Sequence, residues 1–171
     1  MEEKASTARV ALKYGIMTGV ASIVFYTILY LTGLFLNPVA SSFGYVIIIG
    51  AIYLAMKEFR TQNNGFMSYG EGLGLGTLTA AISAFITITF DLVYKKFIDT
   101  TINQQIQDVT RANFEAKGMD DAQIDGVIEM MDKMSSPGIV FFTGILVTIV
   151  TGFIISLIVA AIMKKSKPVF D

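Results

Sequence analysis

Two carboxylates, Glu71 and Asp91, flank a segment that contains no other charged residue. An ionisable side chain in a membrane span is costly and usually faces protein or water, where it can move a proton or bind a cation. A paired-carboxylate site is excluded, because about 20 residues of helix hold the two groups roughly 30 Å apart. Glu71 fits the first turn of a helix, and Asp91 fits an i, i+4 ion pair with Lys95. Such structural roles are our interpretation, with proton or substrate movement as the alternative.

Hydroxyl side chains form a row that leads to Asp91. Thr79, Ser83 and Thr87 precede it at four-residue spacing, which places them on one face of a helix. A second hydroxyl row occupies the first apolar segment and consists of Tyr14, Thr18, Ser22, Tyr26 and Tyr30. The two rows could line a polar cavity, although such hydroxyls more often bond within or between helices.

Composition removes several classes of function. The chain has no Cys, His or Trp, which excludes thiol nucleophiles, zinc or haem ligation by Cys or His, and a Ser-His-Asp relay. Its formal net charge is −1, so no large basic surface favours nucleic acid. We therefore expect no cofactor, no metal site, no nucleic-acid partner and no enzyme activity.

Long apolar segments must position these residues. No charged residue occurs from Tyr14 to Met56 or in two later stretches, 72–90 and 134–163. Within the first of these segments, Pro38 is expected to end the first span. A helix needs roughly 20 residues to cross a bilayer core about 30 Å thick. A mean hydropathy of +0.61 agrees. The sequence predicts an all-α polytopic membrane protein with four transmembrane helices, at about residues 14–36, 39–56, 69–94 and 137–163.

The region 95–136 is too polar to enter lipid, yet its pattern is helical. Two apolar stripes at three- and four-residue spacing flank Gly118, which is expected to end one helix, and Asp120 is expected to cap the next. The stripes are Ile98, Ile102, Ile106 and Val109, followed by Ile124, Val127, Ile128, Met131 and Met134. We predict an αα-hairpin whose stripes pack on each other; a protein partner and the lipid headgroups are the alternative contacts.

Basic residues near the span ends predict the orientation. They occur in the N-terminal segment, in the loop between spans 2 and 3, and after span 4: Lys4, Arg9, Lys13, Lys57, Arg60, Lys164, Lys165 and Lys167. The predicted hairpin instead carries eight acidic against five basic residues. We therefore predict cytoplasmic termini and an extracytoplasmic hairpin, although Lys95 and Lys96 oppose this.

Small residues recur at four-residue spacing in three spans. In lipid, helices associate through close backbone approach at such positions. The rows are Gly15 and Gly19 in span 1, Gly72, Gly76, Ala80 and Ala84 in span 3, and Gly144, Thr148, Gly152, Ser156 and Ala160 in span 4. They predict packing of spans 1, 3 and 4 within one chain, with a homo-oligomer seam as the alternative.

Several segments resemble the domain of unknown function 4199 family of bacterial membrane proteins, best known from Bacteroidetes. They are Lys13-Tyr14-Gly15, Tyr53-Leu54-Ala55-Met56-Lys57 with Arg60, Gly65-Phe66-Met67-Ser68-Tyr69-Gly70-Glu71, Met134-Ser135-Ser136-Pro137, and Gly152-Phe153-Ile154-Ile155-Ser156 running to Lys164-Lys165. The resemblance implies a four-span inner-membrane protein and supplies no site residues.

These observations leave two functional hypotheses. The first is a non-enzymatic accessory or assembly subunit of the bacterial cytoplasmic membrane, in contact with the bilayer and a protein partner at 95–136. The alternative is a small transporter or channel that uses the polar rows of spans 1 and 3 and Asp91.

Overall fold

The computed structural model describes residues 6–166, and this part of the chain folds into six α-helices. Their bounds are α1 Thr7–Thr32, α2 Pro38–Gln62, α3 Tyr69–Val93, α4 Ile102–Glu115, α5 Asp121–Met134 and α6 Pro137–Met163. Lys4 and Lys167, which contribute to the predicted orientation, lie outside the described residues.

Four of these helices are long and apolar enough to cross a membrane: α1, α2, α3 with the turn that follows it, and α6. They contain 25 to 30 residues, with mean hydropathies between 1.6 and 2.8. At 1.5 Å per residue each helix exceeds the hydrocarbon thickness of about 30 Å. The predicted all-α membrane protein with four transmembrane helices is confirmed.

The helices extend further than the uncharged segments suggest. Ser6 caps α1, whose first turns hold Arg9 and Lys13, and α2 continues past Met56 to Gln62. Charged residues fit at both places because a helix can project beyond the hydrocarbon into the headgroup layer.

Pro38 does not end the first span as predicted. Gly33 ends α1 in a left-handed conformation, with φ of 70°, and a 3₁₀ turn follows at Leu34–Leu36. Pro38 is instead the first residue of α2, where its missing N–H costs nothing. Asn37 caps that helix, since its side-chain oxygen accepts hydrogen bonds from Val39 N (2.9 Å) and Ala40 N (3.2 Å).

The small-residue rows lie inside the bundle. Their neighbours are so close that added methyl groups would meet other helices. A Cβ on Gly15 would lie 2.6 Å from Ile82 Cβ, and one on Gly152 would overlap Ala80 Cβ. The central helix α3 therefore packs against α1 on one side and α6 on the other. Close packing at small residues is expected in a membrane, because lipid gives helices no hydrophobic driving force to associate.

The bundle has two ends. The terminal end holds the start of α1, the α2–α3 loop and the end of α6, where Met67 and Lys165 exchange backbone hydrogen bonds of 3.0 and 2.8 Å. Its interior is filled by large side chains that are at most 1% exposed, among them Ile52, Met56 and Phe59 of α2. The opposite end, called here the α4–α5 end, carries the polar region of the chain.

Helices α4 and α5 contact each other through polar and apolar side chains. Ile102 and Ile124 are fully buried, and Arg111 pairs with Asp125 at 2.5 Å. Gly118, with φ of 78°, lies between the helices, and Asp120 caps α5 through Gln123 N at 2.8 Å. The hydrogen bond to Asp125 raises the pKa of the Arg111 guanidinium above its ordinary value. The location of α4 and α5 relative to the membrane stays a prediction.

Three residues of the predicted stripes are not packed between α4 and α5: Val109 and Met134 are 39% and 51% exposed, and Ile98 lies outside both helices. Ile98 is in a π-helical turn, Tyr94–Ile98, that ends the third span, and it is 63% exposed. The wider turn rotates the chain between α3 and α4, so the four-residue spacing does not continue across it.

Candidate functional site

A cavity of about 610 Å³ lies between the four membrane helices in the half of the bundle nearest the α4–α5 end. Its walls combine apolar side chains, such as Ile88 and Val147, with polar ones. The polar lining residues are Ser22, Tyr26, Tyr30, Ser41, Ser42, Tyr45, Ser83, Thr87, Asp91, Thr148 and Thr151. This volume is typical of small-molecule sites.

Helical periodicity brings these side chains together. Ser22, Tyr26 and Tyr30 follow one another at four-residue spacing on α1, and Ser83, Thr87 and Asp91 do so on α3. Because residues i and i+4 share one face of a helix, each series presents a polar stripe to the space between the two helices.

Asp91 has two partners near the α4–α5 end. Tyr30 Oη of α1 donates a hydrogen bond to Asp91 Oδ1, and Lys95 Nζ lies 2.9 Å from Asp91 Oδ2. The Tyr30 ring stacks on that of Tyr94 at 4.9 Å between centroids, and Lys95 Nζ lies 5.8 Å from the Tyr30 centroid. We call these four residues the Asp91 cluster. Both carboxylate oxygens are engaged, and the charge is compensated locally.

Thr87 lines the cavity, and rotation about χ1 is needed to bring its hydroxyl oxygen to the open space. Its Oγ1 is buried and has no hydrogen-bond partner among residues 6–166. Other threonines of α3 bond to the carbonyl four residues earlier, for example Thr79 to Leu75 O at 2.8 Å. A buried polar atom left unpaired costs about 1–3 kcal/mol, so this position favours an added polar group.

The cavity reaches the outer surface of the bundle between α2 and α6. Tyr45 of α2 and Val147 of α6 both line it, yet they are 58% and 62% exposed. Nearer the terminal end the two helices converge on α3, where a Cβ at Gly76 would meet both Ile52 and Ser156. The opening is therefore a lateral gap that narrows toward the terminal end.

Comparison with known proteins identifies the family. The model of the family described as "Protein of unknown function (DUF4199)" matches residues 13–165. The chain belongs to this family. No curated protein and no solved structure matches the chain. The resemblance given by the sequence segments is confirmed, and the function of this DUF4199 protein must be argued from its site.

The predicted polar rows divide into two parts. The half nearest the α4–α5 end lines the cavity, as described above. The other half does not: Thr18 Oγ1 bonds to Tyr14 O at 2.6 Å, Thr79 bonds within α3, and both threonines are buried. In the DUF4199 chain, the hydroxyls therefore line a cavity in one half of the bundle and bond within their own helices in the other half. The sequence analysis had offered these two arrangements as alternatives.

Glu71 lies far from the cavity, at the start of α3. Its carboxylate accepts hydrogen bonds from Ser68 N (2.7 Å) and Ser68 Oγ (2.8 Å), while Ser68 Oγ accepts one from Glu71 N (3.2 Å). This reciprocal pair is a capping box. The geometry gives Glu71 a structural contact and keeps it apart from Asp91.

Sequence reasoning missed the contribution of α2 and a polar contact at the terminal end. Ser41, Ser42 and Tyr45 line the cavity. Ser41 and Tyr45 are four residues apart, but the apolar Ile49 ends this row of hydroxyls after two members. Glu58 lies 2.7 Å from Lys13 Nζ and accepts a hydrogen bond from Tyr14 Oη at 2.8 Å. The sequence contained a signal for the contact between Lys13 and Glu58. These opposite charges lie at similar distances before and after the turn that joins α1 to α2, so the two antiparallel helices bring them to the same level.

The lining of the DUF4199 cavity suits the binding of an uncharged polar molecule. Hydroxyls both donate and accept hydrogen bonds, so they hold uncharged polar groups. Among the lining residues that the structure describes, Asp91 alone carries a charge, and Tyr30 and Lys95 occupy its oxygens. The arrangement can therefore hold a neutral molecule without burying an unpaired charge.

Proposed function

We propose that this protein is a non-enzymatic membrane protein that binds a small molecule within its helical bundle and carries it across the membrane. The observation that supports the proposal is the cavity of about 610 Å³. It is lined by hydroxyl rows from different helices and ends at the packed terminal half of the bundle. We further propose the bacterial cytoplasmic membrane as its location, with both termini in the cytoplasm, from the distribution of Lys and Arg.

One-sided access favours a carrier over a channel. Ile48 of α2 lies at the floor of the cavity and belongs to the same buried cluster as Ile52 and Leu75. A channel requires a continuous path, which these side chains fill. A carrier opens to one side at a time by moving one part of the bundle against another. The lateral gap between α2 and α6 is where such movement meets the least packing.

Cysteine accessibility tests the proposal, because the chain has no native cysteine. Ser83→Cys places a thiol on the cavity wall, and Phe85→Cys places one on the exposed side of the same helix, where Phe85 is 57% exposed. A cationic, impermeant methanethiosulfonate reagent is applied to intact cells and to inverted vesicles. We expect the thiol at 83 to react from both faces, faster from the α4–α5 face, and the thiol at 85 to stay unreactive in lipid. Reaction of the thiol at 83 from one face only, or from neither, overturns the carrier.

An accessory role is the second candidate, and the surface of α5 favours it. Met130 and Met134 are 63% and 51% exposed and lie one helical turn apart on α5, whereas the acidic residues of this helix lie on its other side. A flexible, exposed apolar surface suits a protein partner. The small-residue seams offer less to a second copy, because helices of the same chain fill them.

Purification from native membranes in mild detergent tests this candidate. A stoichiometric protein that accompanies the wild type and is lost with Met130→Asp supports the accessory role. Ala122→Asp, on an exposed position of the same helix, is the matched control. A partner that survives Met130→Asp, or none at all, removes the support of this surface.

A further inference from the structure

The opening of the cavity reaches hydrocarbon depth. Tyr45 is seven residues into α2, about 10 Å from its start, and Val147 is ten residues into α6, about 15 Å from its start. Both helices start at the α4–α5 end. Pro38 and Ser42, nearer the start of α2, also line the cavity and are exposed. Because a bilayer core is about 30 Å thick, the lateral gap extends from the headgroup layer at the α4–α5 end to the acyl chains.

The chemistry of the walls specifies what can enter from there. The apolar surface of the cavity matches a hydrocarbon body, and the hydroxyls of α1 and α3 match a polar head. Thr87 Oγ1 is buried and has no partner in the described chain, and it supplies a hydrogen-bonding atom once χ1 rotates it into the cavity. A charged head finds no counterpart, since Asp91 is already held by Tyr30 and Lys95.

We infer that the cavity takes its ligand from the lipid phase, through the gap between α2 and α6, and that this ligand is an uncharged amphiphile whose hydroxyl or carbonyl head bonds to Thr87. The inference rests on the proposed ligand-binding function and names the class and the route of the ligand. The body of the amphiphile lies against Ile88 and Val147, and its head points toward the Asp91 cluster.

A single tryptophan reports on the site, because the native chain has none. Tyr45→Trp puts the indole at the opening, and Phe153→Trp puts one on the surface of α6, at a position that is 41% exposed and does not line the cavity. Both variants are placed in lipid nanodiscs and titrated with a brominated monoacylglycerol, whose bromine quenches indole on contact. Its head is an uncharged diol ester, the chemistry that the walls select.

We expect saturable quenching at position 45, reversed by unbrominated monoacylglycerol, and linear collisional quenching at position 153. Thr87→Val, combined with Tyr45→Trp, removes the hydroxyl and keeps the shape. It should weaken the apparent affinity about 5-fold, as expected for one net hydrogen bond. An unchanged melting temperature shows that this variant is folded. A brominated fatty-acid anion should bind at least 10-fold more weakly than the diol ester.

Three results overturn the inference: equal, linear quenching at both positions; unchanged affinity in Thr87→Val; or equal binding of the anion. These outcomes are separable from the carrier test. Two-sided labelling of the thiol at 83 with linear quenching leaves a carrier of water-soluble molecules and removes the lipid-phase ligand. Saturable quenching with one-sided labelling keeps the ligand and removes transport.

Discussion

Tyr30 and Asp91 lie on different membrane helices and share a hydrogen bond, with Tyr30 Oη donating to Asp91 Oδ1. Near the α4–α5 end, where the cavity separates α2 from α6, this bond joins α1 to α3. The i, i+4 ion pair with Lys95 leaves the second carboxylate oxygen occupied as well. Asp91 therefore links two helices at the rim of the cavity. This structural role is larger than the ion pair with Lys95 alone implies.

Loss of the Tyr30–Asp91 bond should destabilise the bundle by a measurable amount. Polar contacts between membrane helices contribute about 0.6 kcal/mol on average and up to about 1.7 kcal/mol, more than the 0.2–0.5 kcal/mol of a helical i, i+4 pair. A double-mutant cycle of Tyr30→Phe and Asp91→Ala, followed by unfolding in detergent, measures the coupling directly. Tyr30→Phe keeps the ring stacked on Tyr94. Additive effects of the two substitutions would mean that the bond contributes nothing.

Asp91→Asn separates structure from transport. Asparagine still accepts the Tyr30 hydrogen bond but cannot exchange a proton or pair with Lys95. Since we propose a neutral ligand, we expect binding and transport to persist, with a loss of stability below about 1 kcal/mol. Reconstituted protein that moves protons or cations, and stops doing so in a folded Asp91→Asn variant, would contradict this.

The α3–α6 seam should tolerate no bulk at Gly152. A Cβ there already overlaps Ala80 Cβ, so leucine must force the two helices apart. We expect Gly152→Leu to lower stability by more than about 2 kcal/mol, as overpacking does in close-packed interiors. Phe153→Leu, at an exposed neighbouring position, should cost less than half as much. Thermal unfolding of both variants in detergent measures this difference. Equal melting temperatures would show that Gly152 is not a packing contact between α3 and α6.

Contacts of short sequence range were predictable, and those that depend on helix rotation were not. Four apolar segments require four helices because lipid cannot satisfy free backbone groups. The Asp91–Lys95 pair follows from helical spacing. The partners of Asp91 and Glu58 on α1 are tens of residues away in sequence, and pairing them requires the rotation of each helix about its axis. Tertiary packing fixes that rotation, and the uniformly apolar spans carry little directional signal.

The same limit explains why the sequence predicted the polar faces of the cavity but not its extent. The hydroxyl rows of α1 and α3 indicated which faces could meet, but the rows run through both halves of the bundle. The bulk of Ile52 and Met56 closes the terminal half, so Thr18 and Thr79 are packed away there. No pattern in a single helix reveals which half is filled by side chains from another.

Glu71 should act as a helix cap and have no role in transport. Ser68→Ala removes the side chain that accepts from Glu71 N and donates to its carboxylate, and it should cost about 1 kcal/mol. Glu71→Gln keeps an acceptor for Ser68 N, so it should cost only a few tenths of a kcal/mol and leave transport unchanged. Unfolding in detergent and flux in liposomes measure the two effects. Loss of flux in a stable Glu71→Gln variant would give this carboxylate a role beyond capping.

The predicted orientation can be tested at two exposed positions of the described chain. Thr61→Cys lies at the end of α2 on the terminal side, and Asp121→Cys lies at the start of α5. Basic residues remain preferentially on the cytoplasmic side, and the α2 end carries Lys57 and Arg60, whereas region 95–136 has an acidic excess. An impermeant thiol reagent added to intact cells should therefore label the cysteine at 121 and spare the one at 61, and inverted vesicles should give the opposite pattern. The cavity lies in the half of the bundle nearest the α4–α5 end. Labelling of the cysteine at 61 in intact cells would therefore place the cavity nearer the cytoplasmic face, and the proposed carrier would load its ligand from that side.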